Sequence, residues 1–142
     1  ALLTTTGEKN DGRLRIDFPG GWPGDTVNTF TGTNVSAAQA DMVSYLKKIL
    51  NWRKSAEVVH TGNMKHFIPE DGVYVYFRYN EKKTVMVAIN NSDEERKLEK
   101  EKYAEFLSKY NSATDVVSGK KYDSRFEIYV PSKTAMIIEL GK

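Results

Sequence analysis

The fold is decided by two stretches of sequence, Val73-Tyr74-Val75-Tyr76-Phe77-Arg78-Tyr79 and Thr84-Val85-Met86-Val87-Ala88-Ile89-Asn90. In the first stretch, β-branched and aromatic residues alternate with a period of two, so that Val73, Val75 and Phe77 share one face of a strand. In the second stretch, the side chains of both faces are apolar, which is typical of a central strand that is covered on both sides. With a turn at Glu81-Lys82-Lys83 between them, the two stretches predict consecutive strands of a sheet.

Further short strands are predicted on both sides of this pair. Met64 to Ile68 precedes it across Pro69-Glu70-Asp71-Gly72, a turn whose Asp-Gly pair supplies the positive φ that a hairpin needs. Arg96 to Glu101 is a polar strand that belongs at a sheet edge, where alternating charge deters unwanted pairing. The other predicted strands are Asp115 to Ser118, Phe126 to Val130 and Lys133 to Leu140, while Tyr103 to Tyr110 is either a short helical turn or a connection.

Roughly seven or eight short strands at this spacing predict an antiparallel β-sandwich. Its core is expected to contain Val75, Phe77, Val87, Ile89, Phe126, Ile128, Met136 and Ile138. Because the period of the apolar pattern changes from near 3.6 to 2 after Gly62, a domain boundary is expected between Glu57 and Gly62.

One helix is predicted ahead of the strands, from Ser36 to about Lys54. Ser36 and Gln39 have the N-cap and N3 side chains of a capping box. One stripe of apolar side chains follows helical spacing and consists of Ala40, Val43, Leu46, Ile49 and Leu50. Three larger residues widen this stripe: Met42, Tyr45 and Trp52. A stripe of this width predicts contacts on more than one side of the helix.

Length and composition exclude several classes of protein. The 142 residues, 39% of them hydrophobic, are enough for one modest domain with a core, and two full domains would not fit. The net charge of +2 arises from 21 basic and 19 acidic residues that are mixed along the chain, so no nucleic-acid-binding surface is expected. With no Cys and only His60 and His66, no disulfide and no zinc site is expected.

The start of the sequence is not expected to be a signal peptide. Ala1-Leu2-Leu3-Thr4-Thr5 lacks the basic region of a signal peptide, and no apolar run approaches the ~20 residues of a membrane span. Because the sequence also lacks an initiator Met, the chain is expected to be cut out of something longer. The absence of Cys fits the periplasm and the cytoplasm equally well.

A loop precedes the helix, in the stretch Arg15-Ile16-Asp17-Phe18-Pro19-Gly20-Gly21-Trp22-Pro23-Gly24-Asp25. Its two Pro and three Gly predict specified backbone turns. A loop that holds Phe18 and Trp22 beside charges is typical of a binding site, although the two rings could instead hold the loop against a neighbouring core. Asp17 and Asp25 are better explained by turn and capping roles than as a catalytic pair.

The chain resembles the alpha-amylase family of glycoside hydrolases, and within it the neopullulanase or cyclomaltodextrinase-like enzymes of Bacteroides-type bacteria. The resemblance rests on an ordered set of motifs: Asp11-Gly12, Arg15, Asp17-Phe18-Pro19-Gly20-Gly21-Trp22, Gly24-Asp25, Phe30, Leu50-Asn51-Trp52-Arg53-Lys54, Gly62, Phe67-Ile68-Pro69, and the strands at 73–79 and 85–91. It covers nearly the whole chain. It departs from the family at the start, where no Gly-x-Pro or Tyr-Gly-x-Glu signature of the eighth barrel strand follows Thr5.

The resemblance implies a mainly β fold: an antiparallel β-sandwich of the alpha-amylase C-terminal domain type, preceded by an irregular loop and one α-helix left over from a (β/α)8 barrel. Residues 1–56 would be the end of the catalytic barrel, with a loop at 6–35 and a helix at 36–54. Residues 57–142 would form the C-terminal domain. The family's catalytic acids lie upstream, so no catalytic residue is expected here and the fragment should be inactive alone.

The resemblance also implies where sugar would bind, because the family's corresponding loop borders the glucan-binding cleft. Arg15, Asp17, Phe18 and Trp22 are the expected substrate contacts, unless Arg15 and Asp17 merely pair to hold the loop. The implied parent is a retaining α-glycosidase acting on starch, maltooligosaccharides, cyclodextrins or pullulan. The resemblance implies the periplasm, with the cytoplasm as the alternative.

No cofactor or metal is expected in this fragment, although the resemblance allows a structural calcium ion in the parent. The partners expected are the α-glucan substrate and the missing catalytic barrel, with no nucleic acid and no membrane span. Without the barrel, the uncovered side of the helix should make the isolated chain self-associate. Two other classes stay open: a carbohydrate-binding module, indicated by Tyr74, Tyr76, Tyr79 and Trp22, and an interaction domain with no link to sugars.

Overall fold

The computed structural model describes residues 17–123 and 127–141, and the chain forms two compact units, Ala1–Lys48 and Ile49–Lys142. The helix α1 (Ala37–Ser55) begins in the first unit and ends in the second. It is capped as the sequence predicts: the Ser36 N–H donates to Gln39 Oε1 (2.9 Å), and the Gln39 N–H donates to Ser36 Oγ (3.3 Å). The expected division between residues 56 and 57 stays a prediction.

The second unit is built mainly from short strands. After the short helix α2 (Glu57–Thr61) come β1 (Asn63–His66), β2 (Val73–Tyr79), β3 (Thr84–Asn90) and β4 (Arg96–Lys97). A 3₁₀ turn (Lys100–Tyr103) and the helix α3 (Ala104–Leu107) follow, and then β5 (Ser112–Asp115), β6 (Lys121–Asp123), β7 (Tyr129–Val130) and β8 (Thr134–Gly141). Six strands form one antiparallel sheet in the order β1-β2-β3-β8-β5-β6, and β4 pairs with β7.

The two stretches that decide the fold lie in the middle of this sheet, as predicted. β3 pairs with β2 on one side and with β8 on the other, so that Met86 lies opposite Phe77 and opposite Ile138. The turn before β2 has the predicted positive φ, 50° at Asp71 and 77° at Gly72. Because β3 pairs with a strand on each edge, its backbone N–H and C=O groups are hydrogen-bonded. The strand can therefore be covered on both faces and carry apolar side chains on each.

The main core lies between the six-stranded sheet and a second layer made of the β4–β7 pair, the 3₁₀ turn and α3. Its fully buried members include Phe77, Met86, Ile128, Val130 and Ile138. The Phe77 ring stacks on Phe106 of α3, with ring centroids 4.3 Å apart and planes 7° apart. The fold is the predicted antiparallel β-sandwich, and helical turns complete its smaller layer.

A second cluster lies on the outer face of the same sheet. Its buried members are Val58, Val85 and Ile137, and Ile49, Trp52, Val59, Val87 and Val116 pack against them. The end of α1 and the whole of α2 therefore cover part of the outer face. We call the covered side chains the helix-covered patch.

Three predicted details are wrong. The polar edge strand contains only Arg96–Lys97, because Leu98 turns into the core and the following residues coil to bury Tyr103 and Phe106. The strand expected at Asp115 to Ser118 is a turn: Asp115 Oδ1 accepts the Val117 N–H (3.0 Å), and Asp115 Oδ2 accepts the Ser118 hydroxyl (2.8 Å). Such Asx turns compete with strand pairing, so the strand lies just before this turn, at β5.

The third difference concerns the expected core. Ile89 points outward and is 38% exposed, while its neighbours Ala88 and Asn90 are buried. Val87 also lies on the outer face and is partly buried in the helix-covered patch. Phe126, which was expected in the core, lies outside the described residues.

Candidate functional site

Asp25 organises the loop that the sequence singles out. Its Oδ2 atom accepts the backbone N–H of Gly20 (2.8 Å) and that of Trp22 (3.2 Å). Gly20 has a φ of +97°, and a Cβ added there would lie 2.6 Å from Asn28 Oδ1, so only glycine fits. The capping role predicted for Asp25 is therefore confirmed, and its carboxylate is engaged in holding the turn.

The aromatic side chains of the loop remain open to solvent. Phe18 is 52% exposed and packs against Phe30, with ring centroids 5.6 Å apart. Trp22 is 65% exposed. Asp17 is also exposed, and Arg15 lies outside the described residues, so their expected pairing stays a prediction. The described part of the loop thus holds a fixed backbone that presents two open aromatic faces, the geometry on which sugar C–H faces can stack.

The three tyrosines proposed for a carbohydrate-binding module lie on opposite faces of β2. Tyr79 belongs to the inner face of β2 and packs edge-on against Phe106, with centroids 5.0 Å apart. Tyr74 and Tyr76 project from the outer face of the same strand, 5.7 Å apart between ring centroids. Burial raises the pKa of the Tyr76 phenol, and the neighbouring Tyr74 raises it further. The set therefore separates into a core residue, an outer pair and Trp22 in the other unit.

A polar anchor fixes α1 to the outer face of the sheet, and sequence reasoning missed it. The Trp52 indole Nε1–H donates to Glu139 Oε1 (2.6 Å), and Lys83 Nζ donates to the same oxygen (2.7 Å). Arg78 Nη2 donates to the Val59 carbonyl of α2 (2.9 Å). The available signal was Glu139 itself, the one charged residue of a mainly apolar strand.

A small recess lies beside the 3₁₀ turn. Its lining includes the apolar residues Val73, Leu98 and Tyr103 and the charged residues Lys102 and Glu70. At about 90 Å³ it is well below the ~300 Å³ of small-molecule pockets. Lys102 is already bonded to Glu70 at 2.7 Å.

Within residues 17–123 and 127–141, no group of three or more His, Asp or Glu side chains could hold a metal ion. No helix in the described part of the chain is long and apolar enough to cross a membrane.

The family model of the cyclo-malto-dextrinase C-terminal domain matches residues 64–139, which is more than half of the chain. The chain belongs to this family. The matched range begins within β1 and ends within β8, so it takes in all or most of each strand that the described residues form. The cyclo-malto-dextrinase C-terminal domain is thus the sandwich itself, and the loop at 17–36 and the helices α1 and α2 lie before it.

Solved structures of two alpha-amylases and of AmyP share this fold. An alpha-amylase from Anoxybacillus matches 78% of this chain at 21% identity with a TM-score of 0.59. The alpha-amylase of Geobacillus thermoleovorans, solved with acarbose, matches 70% at 21% identity (TM-score 0.56), and a variant of AmyP with maltotriose matches 83% at 14% identity (TM-score 0.64). This chain covers only 24%, 23% and 23% of those three chains.

Proposed function

We propose that this chain is the C-terminal part of a retaining α-glycosidase of the neopullulanase or cyclomaltodextrinase type, from a Bacteroides-type bacterium. Its substrates would be starch, maltooligosaccharides, cyclodextrins or pullulan. Membership in the cyclo-malto-dextrinase C-terminal domain family carries the proposal. The likeness to two alpha-amylases and AmyP over about a quarter of their length supports it, as do the acarbose complex of the Geobacillus thermoleovorans enzyme and the maltotriose complex of AmyP.

In this proposal, residues 49–141 have a structural role in the parent enzyme. The support comes from the anchor between Trp52, Glu139 and Lys83 together with the helix-covered patch, which join the end of α1 to the sheet. If α1 is the last helix of a catalytic barrel, the sandwich fixes the barrel's end through this contact. The apolar side chains that α1 leaves exposed, Met42, Leu46 and Leu50, would then face the rest of the barrel.

The chain alone is proposed to be inactive. Retaining hydrolysis needs two carboxyl groups about 5 to 5.5 Å apart across the scissile bond, one as nucleophile and one as general acid. Asp25 is engaged by two backbone N–H groups, and the resemblance assigns the catalytic acids to the upstream part of the parent. A reducing-end assay with maltoheptaose, cyclodextrin and pullulan should detect no product with the 142-residue chain.

The loop is proposed to contact sugar in the parent enzyme through Trp22 and Phe18, with Arg15 and Asp17 as polar contacts. The test is a comparison of the parent enzyme with its Trp22→Ala and Trp22→Phe variants at matched folded fraction. Loss of the stacking face should lower kcat/KM about ten- to thirty-fold, and Trp22→Phe should retain most of the activity because it keeps an aromatic face. Stability should hardly change, since Trp22 is exposed.

Unchanged kcat/KM in Trp22→Ala, on long and short glucans alike, would mean that the loop has only a structural role.

The coding sequence upstream of Ala1 directly tests the proposal that the parent is a retaining α-glycosidase. It should encode a strand and helix alternation with carboxylates at the strand ends. A parent without them would contradict the proposed activity.

We also propose that the parent is periplasmic, as the resemblance implies. Fractionation of the source bacterium, followed by detection of the chain with an antibody, should find it with periplasmic markers. Recovery with cytoplasmic markers would contradict this location.

A further inference from the structure

Part of the outer sheet face lies beyond the helix-covered patch. There the strand register places His66 opposite Tyr76 and Tyr74 opposite Ile89. These residues are absent from both the main core and the helix-covered patch, and Ile89 is 38% exposed. We call His66, Tyr74 and Tyr76 the tyrosine platform.

The rings of the platform are in contact and share one side of the sheet. The centroids of Tyr74 and Tyr76 are 5.7 Å apart with planes inclined by 35°, and those of His66 and Tyr74 are 6.3 Å apart. Because alternate residues of a strand point to the same face, β2 itself holds both phenols in place. The platform is therefore a preformed aromatic surface, which lowers the entropic cost of binding a ligand.

The hydroxyl groups of Tyr74 and Tyr76 can still form hydrogen bonds with a ligand. Within the described residues, neither the Tyr74 nor the Tyr76 hydroxyl has a hydrogen-bond partner, whereas those of Tyr110 and Tyr129 bond to Thr84 (2.6 Å) and Glu127 (2.6 Å). A tyrosine phenol is neutral at physiological pH, and burial raises the pKa of Tyr76 further, so its hydroxyl can both donate and accept a hydrogen bond. A ligand that suits the platform thus has apolar faces edged with hydroxyl groups, which describes a pyranose ring.

We propose that the tyrosine platform binds an α-glucan chain, with successive sugar rings stacked on Tyr74 and Tyr76 and their hydroxyl groups bonded to the free phenols. The mutual inclination of the two rings suits a chain whose successive sugars turn relative to one another, as α-linked glucose does. It suits a flat β-linked chain poorly. The choice of an α-glucan among sugars rests on the proposed function.

The test is a calorimetric or NMR titration of the 142-residue chain with maltoheptaose, with cellohexaose as the β-linked comparison. Maltoheptaose should bind and perturb the β2 signals, and cellohexaose should bind at least tenfold more weakly. Tyr74→Ala and Tyr76→Ala should each weaken maltoheptaose binding about tenfold. Tyr129→Ala is the matched control, since Tyr129 is exposed on β7 and should leave binding unchanged. Trp22→Ala separates the platform from the loop, and circular dichroism establishes that each variant is folded.

Three results would overturn the proposal: no binding of maltoheptaose, binding that survives both platform substitutions, or equal binding of cellohexaose. Hydroxyl-radical footprinting of the intact parent provides a further arm. Tyr74 and Tyr76 should become protected only when maltoheptaose is added, and protection without sugar would assign the platform to a protein contact instead.

Failure of the platform proposal is distinguishable from failure of the proposed function. A parent that hydrolyses starch while this chain binds no glucan would refute only the platform, and glucan binding by a chain whose parent lacks catalytic acids would refute only the enzyme.

Discussion

The two faces of the six-stranded sheet are used differently, although the same strands supply both. On the inner face, Val75 and Phe77 of β2 are sealed against the second layer. On the outer face, Tyr74 and Tyr76 of that strand stay partly open, and helices cover only the neighbouring end. Val75 and Phe77 are wholly apolar, whereas Tyr74 and Tyr76 combine an apolar body with a polar tip. Alternation along one strand therefore separates the residues that stabilise the sandwich from those that are available for contacts.

Phe77→Ala is expected to have the largest effect on this comparison. The side chain is fully buried and stacks on Phe106, so its removal should lower the free energy of unfolding by about 3 to 5 kcal/mol. Its sequence neighbour on the other face gives the control: Tyr76→Ala should cost about 1 kcal/mol, because the ring is partly solvated. Urea unfolding of both variants measures the difference. Equal losses would show that the two faces are equally sealed.

The anchor on the outer face is expected to have an intermediate effect. Glu139→Gln removes the charge that Lys83 and the Trp52 indole share, and should cost about 1 to 2 kcal/mol in a partly exposed site. In a double-mutant cycle with Trp52→Phe, a coupling of about 0.5 to 1.5 kcal/mol should appear. The matched control is Glu127→Gln, which breaks the exposed pair with Lys97 (2.6 Å) and should leave stability unchanged within error. Additive effects of Trp52→Phe and Glu139→Gln would contradict the anchor.

Alkaline pH should destabilise the sandwich through one tyrosine on each face of the sheet. Burial raises the pKa of Tyr103, which lies in the main core, and also that of Tyr76. The unfolded chain then loses these protons first, so stability is fully present below the unfolded pKa and falls as pH rises above about 10. Tyr103→Phe should flatten that fall, and so should Tyr76→Phe. Urea unfolding between pH 8 and 11 measures how the free energy of unfolding changes with pH. The same pH dependence in wild type and Tyr103→Phe would contradict the raised pKa of Tyr103.

The sequence is informative wherever the local pattern decides the structure. Period-two alternation located β2, double-sided apolarity located the central strand β3, and the Ser36 and Gln39 pair located the start of α1. In the loop, composition alone indicated fixed turns and the capping role of Asp25. What a local pattern lacks is the partner across the sheet. The bond from Trp52 to Glu139 joins residues 87 positions apart, and the Asp115 turn was hidden because its valines resemble a strand.

The same limit explains why Ile89 was wrongly expected in the core, and it leads to the smallest expected effect. Apolarity on both faces of β3 indicates burial on both, but it does not say how far along the strand the outer cover extends. Ile89 lies beyond the helix-covered patch and is 38% exposed, whereas Ile138 of the adjacent strand is fully buried. The identical change, Ile to Ala, should therefore cost about 2 to 5 kcal/mol at Ile138 but less than about 1 kcal/mol at Ile89. Because the chemistry removed is the same, the difference reports only the surroundings of each side chain. Thermal and urea unfolding of the two variants would measure it, and a loss at Ile89 close to that at Ile138 would mean that this end of the outer face is covered and unavailable to a ligand.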